Sequence, residues 1–189
     1  MLPRAMKWRT IALLGAAGYG AYRTAQRLGT PEGVVPLQPF TPARLAGRWY
    51  ELARIDHAWQ QGLVATTFDY VPEPGGAVRV LQRGYSQGAR RWRQARGSLR
   101  PLHGAPLAHG QLSFLWPLRT SHIVFALDDD GQHALVCGPT HNDLWVLSRT
   151  PGVKAATRAA LLQQARDAGF DTQRLHWVDQ RRNTGAGWR

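Results

Sequence analysis

The chain is short of several residue types, and each shortage closes off a class of protein. One cysteine in 189 residues leaves no internal disulfide and no cysteine-based zinc cage. Lysine is almost missing: 22 of the 24 basic residues are arginine, and only Lys7 and Lys154 are not. Acidic residues number 12, so the formal net charge is +12. No stretch approaches the ~20 apolar residues of a spanning helix, which excludes a polytopic membrane protein. The apolar fraction of 43% excludes a disordered chain, and the length suits one domain with a real core and a tail.

The charge is unevenly placed. Arg4, Lys7, Arg9, Arg23 and Arg27 precede residue 40 against one acid, Glu32, and Arg181, Arg182 and Arg189 follow residue 180. Around the apolar stretch from Thr10 to Tyr22, the leading basic residues read as an export signal or an N-terminal membrane anchor over residues 1–28. Residues 29–42, with four prolines, read as a Pro/Gly linker. A domain over 43–180 and a basic tail over 181–189 complete the organisation.

Within the domain the apolar pattern has a period of two. Residues 49–55, 64–71, 77–85, 90–99, 110–116, 122–127, 133–137 and 144–149 read as eight strands. Most are joined by turn sequences such as Pro72-Glu-Pro-Gly-Gly76 and Asp128-Asp-Asp-Gly131. Eight sequential strands joined this way predict an antiparallel up-and-down barrel, which leaves no free edges. Between Thr150-Pro151, read as a helix start, and Gly169, read as its stop, apolar residues recur at helical spacing. A helix on the outer wall and a short strand over 175–178 are expected after the eighth strand.

An eight-stranded barrel holds either packed side chains or one small ligand. With Trp49 and Arg149 set inward at one end, parity places Glu51, Ala53, Trp145 and Leu147 inside. Leu112, Phe114 and Trp116 share a face, as do His122, Val124 and Ala126. This mixture of large aromatics, small residues and two polar groups suits a lined cavity with a polar mouth.

Gly47-Arg-Trp49, on the first strand, resembles the Gly-x-Trp opening motif of lipocalins, and Ser148-Arg149-Thr-Pro resembles their closing motif. Residues 134–139, 144–149 and Gly84-Tyr85 resemble the bacterial lipocalin branch. The resemblance implies a calyx that binds and carries small hydrophobic or amphipathic ligands, for that branch fatty acids or lysophospholipids, in the service of envelope membrane maintenance. It also implies a membrane surface as a partner, a possible homodimer, and a role for Arg149 as a structural plug stacked on Trp49. The ligand-binding residues it suggests are Glu51, Ala53, Tyr85, Phe114, Trp116, His122, Val124 and Trp145. No cofactor, metal or catalytic residue is implied. The bacterial branch usually carries a lipobox cysteine, whereas Cys137 lies in a strand, so a periplasmic protein, free or held by residues 10–22, is expected.

Rival readings rest on fewer residues. Seven arginines without an acid over 79–100, interleaved with Tyr85 and Trp92, suit a solvated flank, anionic headgroups or nucleic acid, of which nucleic acid is the least favoured. Ser148, His122 and His133 lack a Gly-x-Ser-x-Gly elbow. An enzyme or sensor on the same scaffold would turn on His122 or Cys137. His57 and Trp59 sit where a loop could gate or cap the mouth.

Overall fold

The computed structural model describes residues 26–57, 60–102 and 108–184, and the N-terminal expectation for residues 1–28 falls almost wholly outside them. Eight antiparallel strands form the barrel: β2 (Gly47–Ile55), β3 (Leu63–Pro72), β4 (Val78–Ser86), β5 (Arg91–Pro101), β6 (His109–Leu115), β7 (Leu118–Leu127), β8 (His133–Cys137) and β9 (Leu144–Ser148). Each pairs with the next, and β9 returns to β2 to close the sheet. Two short strands lie outside this ring: β1 (Gln26–Arg27) runs parallel to β7, and β10 (Leu175–Trp177) pairs with β2. The expected barrel is therefore present, with the expected final strand on its edge.

Alternation along the strands sorts the apolar residues into two layers. The inner layer includes Trp49, Phe68, Tyr70, Val80, Leu112, Val136 and Leu147. The outer layer, with Ile123, Leu135, Cys137 and Val146, is covered by α1 (Ala155–Asp167) through Leu161 and Ala165. Phe170 extends this cover by stacking on Phe125 at 5.5 Å between ring centroids. The helix starts at Ala155, later than Pro151 suggests, because Thr150 is spent on a local turn: its hydroxyl donates to the Gly152 carbonyl at 2.8 Å. Gly169, at φ +86°, ends the helix as expected, since a left-handed residue there satisfies the last turn without a Cβ clash.

Four register shifts interrupt the barrel pairings, and two of them reverse the parity on which the sequence reading relied. Between Glu51 and Ala53 the β2–β9 register shifts, so Leu52 and Ala53 both face the outer layer and Arg54 turns inward with Glu51. Ala53 is thus on the helix side of the wall, not in the calyx. A second shift between Val124 and Ala126 sends Phe125 and Ala126 outward together and returns Leu127 to the inside.

The closed end is locked by one side chain. Arg149 lies over the Trp49 ring, its guanidinium carbon 3.8 Å from the centroid. It donates to the carbonyls of Arg48, Arg44 and Gly131 at 3.0, 3.2 and 3.3 Å. Trp49 in turn donates its indole N–H to the Leu45 carbonyl in the 3-10 turn Pro42–Leu45 that plugs this end. Residues 29–42, expected as a linker, run against the barrel: Val34 and Phe40 are buried and the Leu37 N–H bonds the Val124 carbonyl at 2.9 Å.

At the opposite seam β2 and β3 part beyond Tyr50, and the chain after β10 fills the gap. Gln180 is buried there and donates to the carbonyls of Glu51 and Thr66, while the Ala65 N–H bonds the Asp179 carbonyl. The short helix α2 (Arg181–Thr184), inside the expected basic tail, follows at once, and Asn183 caps the Ala65 carbonyl from it.

Replacing Arg149 with Ala should lower the unfolding free energy by about 1–3 kcal/mol, combining a lost cation–π contact with carbonyls left unpaired. Urea denaturation measures this directly, and a loss below ~0.3 kcal/mol would show that the plug is held by Trp49 alone.

Candidate functional site

The upper half of the barrel is divided between a packed polar side and an open apolar side. On the β2 and β9 side, Arg54 is fully buried and makes four hydrogen bonds. Its Nη1 reaches Glu51 Oε1 at 2.8 Å and its Nε reaches Asp56 Oδ1 at 2.8 Å. Its Nη2 donates to the carbonyls of Gln60 and Leu63 at 2.9 and 3.2 Å. These bonds draw the β2–β3 loop inward. Gln60 then accepts from the Trp145 indole at 3.3 Å, and the His57 ring lies 5.5 Å from that of Trp145. His57 also faces Asp143 at 3.4 Å. Trp59 lies outside the described residues.

Burial pushes the Glu51 carboxyl up to about 7, and Arg54 beside it works in the opposite direction. Arg54 stays charged, because the carboxylates of Glu51 and Asp56 outweigh its own desolvation. The pair therefore acts as a loop anchor whose bonding capacity is spent within the protein.

On the β4–β7 side there is a cavity of about 580 Å³. Leu63, Ala95, Leu112, Phe114, Leu115 and Leu118 supply its apolar wall, and Arg93 and Arg119 also line it. Phe114 forms the floor because Gly97 makes room for it. A Cβ on Gly97 would lie 2.8 Å from the Ser113 carbonyl and 2.9 Å from the Phe114 ring. Among the polar residues of the wall, Gln82 is the buried one without a partner. It is 5% exposed, and among the described residues its Nε2 has no hydrogen-bond partner. A buried amide donor calls for an acceptor, and a group held in the cavity would supply one.

The residues singled out from sequence do not converge on this cavity. Phe114 lines it. Glu51 and Trp145 face inward on the packed side. His122 and Val124 face inward lower down, in the wall of a void of about 40 Å³ near Phe40 and Leu45. There His122 Nε2 and the Tyr70 hydroxyl are 2.9 Å apart. Tyr85 alternates outward with Arg83; its ring meets Trp92 edge-on, and the Arg182 guanidinium lies 3.9 Å from its centroid. Trp116 stands at the β6–β7 hairpin tip, 77% exposed. Parity counted along unbroken strands could not place Ala53 or Arg54. Gln82 and Arg93 carried no signal beyond an alternation shared with their neighbours.

Burial lowers the His122 imidazole from 6.5 to about 4 and raises the Tyr70 hydroxyl well above its ordinary value. Cys137 is buried in the outer layer, where desolvation raises its thiol, so it is no thiolate nucleophile at neutral pH. Ser148 faces outward beside Thr150, and His133 is bonded to Asp128 at 2.7 Å. His122 faces the other way, so these residues do not assemble into a triad. Among the described residues no three His, Cys, Asp or Glu side chains cluster to hold a metal.

A closed antiparallel barrel, plugged at one end by a 3-10 turn under a Trp–Arg stack and hollow at the other, defines a calyx protein. A lipocalin-like domain model matches residues 42–180, and the chain belongs to that family. It is 38% identical to the outer membrane lipoprotein Blc of Vibrio cholerae, over 81% of this chain and 90% of that one. The Escherichia coli K12 protein of the same name is also 38% identical, over 79% and 85%. The temperature-induced lipocalin-1 of Arabidopsis thaliana is 30% identical, over 72% and 77%. Among solved structures, the cockroach allergen Per a 4 superposes with a TM-score of 0.66 at 16% identity, over 84% and 99%. Insecticyanin from the tobacco hornworm gives 0.63 at 18%, over 80% and 86%. At those identities the two structures establish the fold alone.

Two outcomes follow from this geometry. Arg54→Met should cost roughly 3–5 kcal/mol, since it strands a buried carboxyl and two carbonyls. Glu51→Gln should cost clearly less, because Asp56 and both carbonyls still face the guanidinium; chemical denaturation of the two variants gives the order, and the reverse order would discount Arg54 as the anchor. The His122 shift has a sign that can be checked. The unfolded chain protonates this ring below 6.5 while the folded one resists to about 4. Stability should therefore fall on acidification between those values, by at most about 1.4 kcal/mol per pH unit. In His122→Gln this contribution to the slope should vanish; an unchanged slope would assign the acid lability to other groups.

Proposed function

We propose that this protein binds one amphiphile per barrel, of the fatty acid or lysophospholipid class, and carries or stores it at the cell envelope. The observation that carries this reading is the roughly 580 Å³ cavity with its apolar wall and the unpartnered Gln82 amide. An acyl chain laid against Ala95, Leu112 and Phe114 loses contact with water, which is worth about 0.8 kcal/mol for each methylene buried. Several such groups outweigh the cost of ordering a flexible ligand. An ester, hydroxyl or carboxylate oxygen would accept from Gln82 Nε2, and Arg93 would meet an anionic head at the rim.

Of the residues suggested by sequence, Phe114 is the one this reading retains as a direct ligand contact. Glu51 and Trp145 act on the opposite side, where they hold the β2–β3 loop. His122 and Val124 support the closed end. Family membership supports binding rather than catalysis, and the relatives that carry the name outer membrane lipoprotein support an envelope location.

Filling the cavity tests the assignment. Ala95→Trp places an indole in the space while leaving the lower core untouched. It should weaken displacement of a fluorescent fatty acid by lysophosphatidylcholine at least ten-fold, with an unchanged melting transition. Undiminished binding in that variant would remove the cavity as the site.

A further inference from the structure

The β6–β7 hairpin presents apolar surface that the barrel does not use. Leu115, Trp116 and Leu118 are 68%, 77% and 44% exposed, three large side chains on one tight turn. Isolated exposed leucines are ordinary, but a contiguous apolar tip on a soluble barrel marks a contact surface. Trp is the residue suited to a boundary where one side is apolar and the other wet.

The surroundings of the tip narrow the partner. On one side Leu115, Leu118 and Arg119 belong to the wall of the amphiphile cavity. On the other side, along the outer face of the sheet, a groove of about 710 Å³ runs from Trp116 past Arg79, Arg96, Arg100 and Arg119. Glu73, 3.6 Å from Arg79, is the one acid among the described residues that line that groove. Apolar side chains at a tip with a band of arginines behind them match the layering of an anionic bilayer, hydrocarbon first and phosphate next. The path of the chain gives a second, independent pointer. β1 pairs in parallel with β7, Gln26 opposite Arg119, so the sequence before residue 26 leads into a strand that lies beside the same tip. That preceding sequence holds the apolar stretch 10–22 and the basic residues Arg4, Lys7 and Arg9.

We propose that the β6–β7 hairpin is a membrane-docking edge for anionic phospholipid. Leu115, Trp116 and Leu118 seat at the level of the upper acyl chains, and Arg96, Arg100 and Arg119 bind headgroup phosphates. Docking in this pose sets the cavity mouth against the bilayer, so an amphiphile passes between membrane and calyx without crossing water. The docking stands on surface features alone; its use for loading rests on the binding function proposed above.

The test uses the full chain and sedimentation with vesicles of phosphatidylcholine, with or without 30% phosphatidylglycerol. Binding to the anionic vesicles should exceed binding to the neutral ones at least ten-fold and should weaken as salt is raised. Trp116→Ser and Arg96→Glu, neither of which lines the cavity, should each reduce it at least five-fold while fatty acid displacement in solution stays at the wild-type value. Unreduced vesicle binding in both variants, or equal binding to neutral and anionic vesicles, would overturn the proposal. Tighter binding to a short DNA duplex than to the anionic vesicles, unaffected by Trp116→Ser, would overturn it in favour of a nucleic-acid surface. Lost fatty acid binding with intact vesicle binding would defeat the cavity assignment and leave the docking edge standing.

Discussion

A fully buried guanidinium needs partners, and in this barrel that need organises the upper half. Arg54 reaches the interior because a bulge at Leu52–Ala53 turns two successive side chains outward. Once inside, it satisfies itself with Glu51, Asp56 and two carbonyls of the loop that follows. A buried charge left unpaired would cost several kcal/mol, so the loop is drawn in with it. Gln60 and Trp145 then pack behind the ion pair and close that side of the calyx. The cavity is confined to the β4–β7 side as a result.

The two ends of the molecule divide stability from function. At the plugged end Trp49, Arg149 and the Tyr70–His122 pair are all bonded, and the apolar inner layer packs around them. At the open end Gln82 keeps a free donor, Phe114 sits over a glycine, and the hairpin beyond it exposes leucine and tryptophan. Such features cost stability in a filled barrel. They are consistent with a fold that spends its packing at one end and reserves the other for a ligand and a surface.

The arginine excess takes a different meaning at different places. Arg54 and Arg149 are structural, one buried in a polar cluster and one clamped over an indole. Arg158 lies over Trp177 and Arg182 over Tyr85, where flat cations cover aromatic faces on the outer wall. Arg96 and Arg100 instead line the outer groove behind the hairpin tip. A count of basic residues could not separate these roles, because one side-chain chemistry serves all of them.

Alternation, turn residues and the Gly47-Arg-Trp49 and Ser148-Arg149 motifs were enough to specify the barrel, its order, the helix on its wall and the Trp–Arg plug. The barrel, its order and the helix follow from local periodicity and from pairings between neighbouring strands, whereas the plug was legible only through the resemblance of the two motifs to those of lipocalins. The site was less legible. Phe114 was readable because it keeps the inner face of Leu112 even though the β6–β7 register shifts between Leu112 and Leu115. Ala53 was misplaced, and the inward turn of Arg54 was missed, because a bulge adds a residue without leaving a mark in the composition, and one added residue reverses the faces beyond it. Trp116 was misread because a strand pattern does not show where the strand stops and the tip leaves the wall. The course of residues 29–42 along the barrel, the seam sealed by Gln180 and the loop drawn in by Arg54 were decided only in the tertiary structure. Each depends on hydrogen bonds between segments far apart in the chain, and no local pattern encodes which distant carbonyl a buried donor will find.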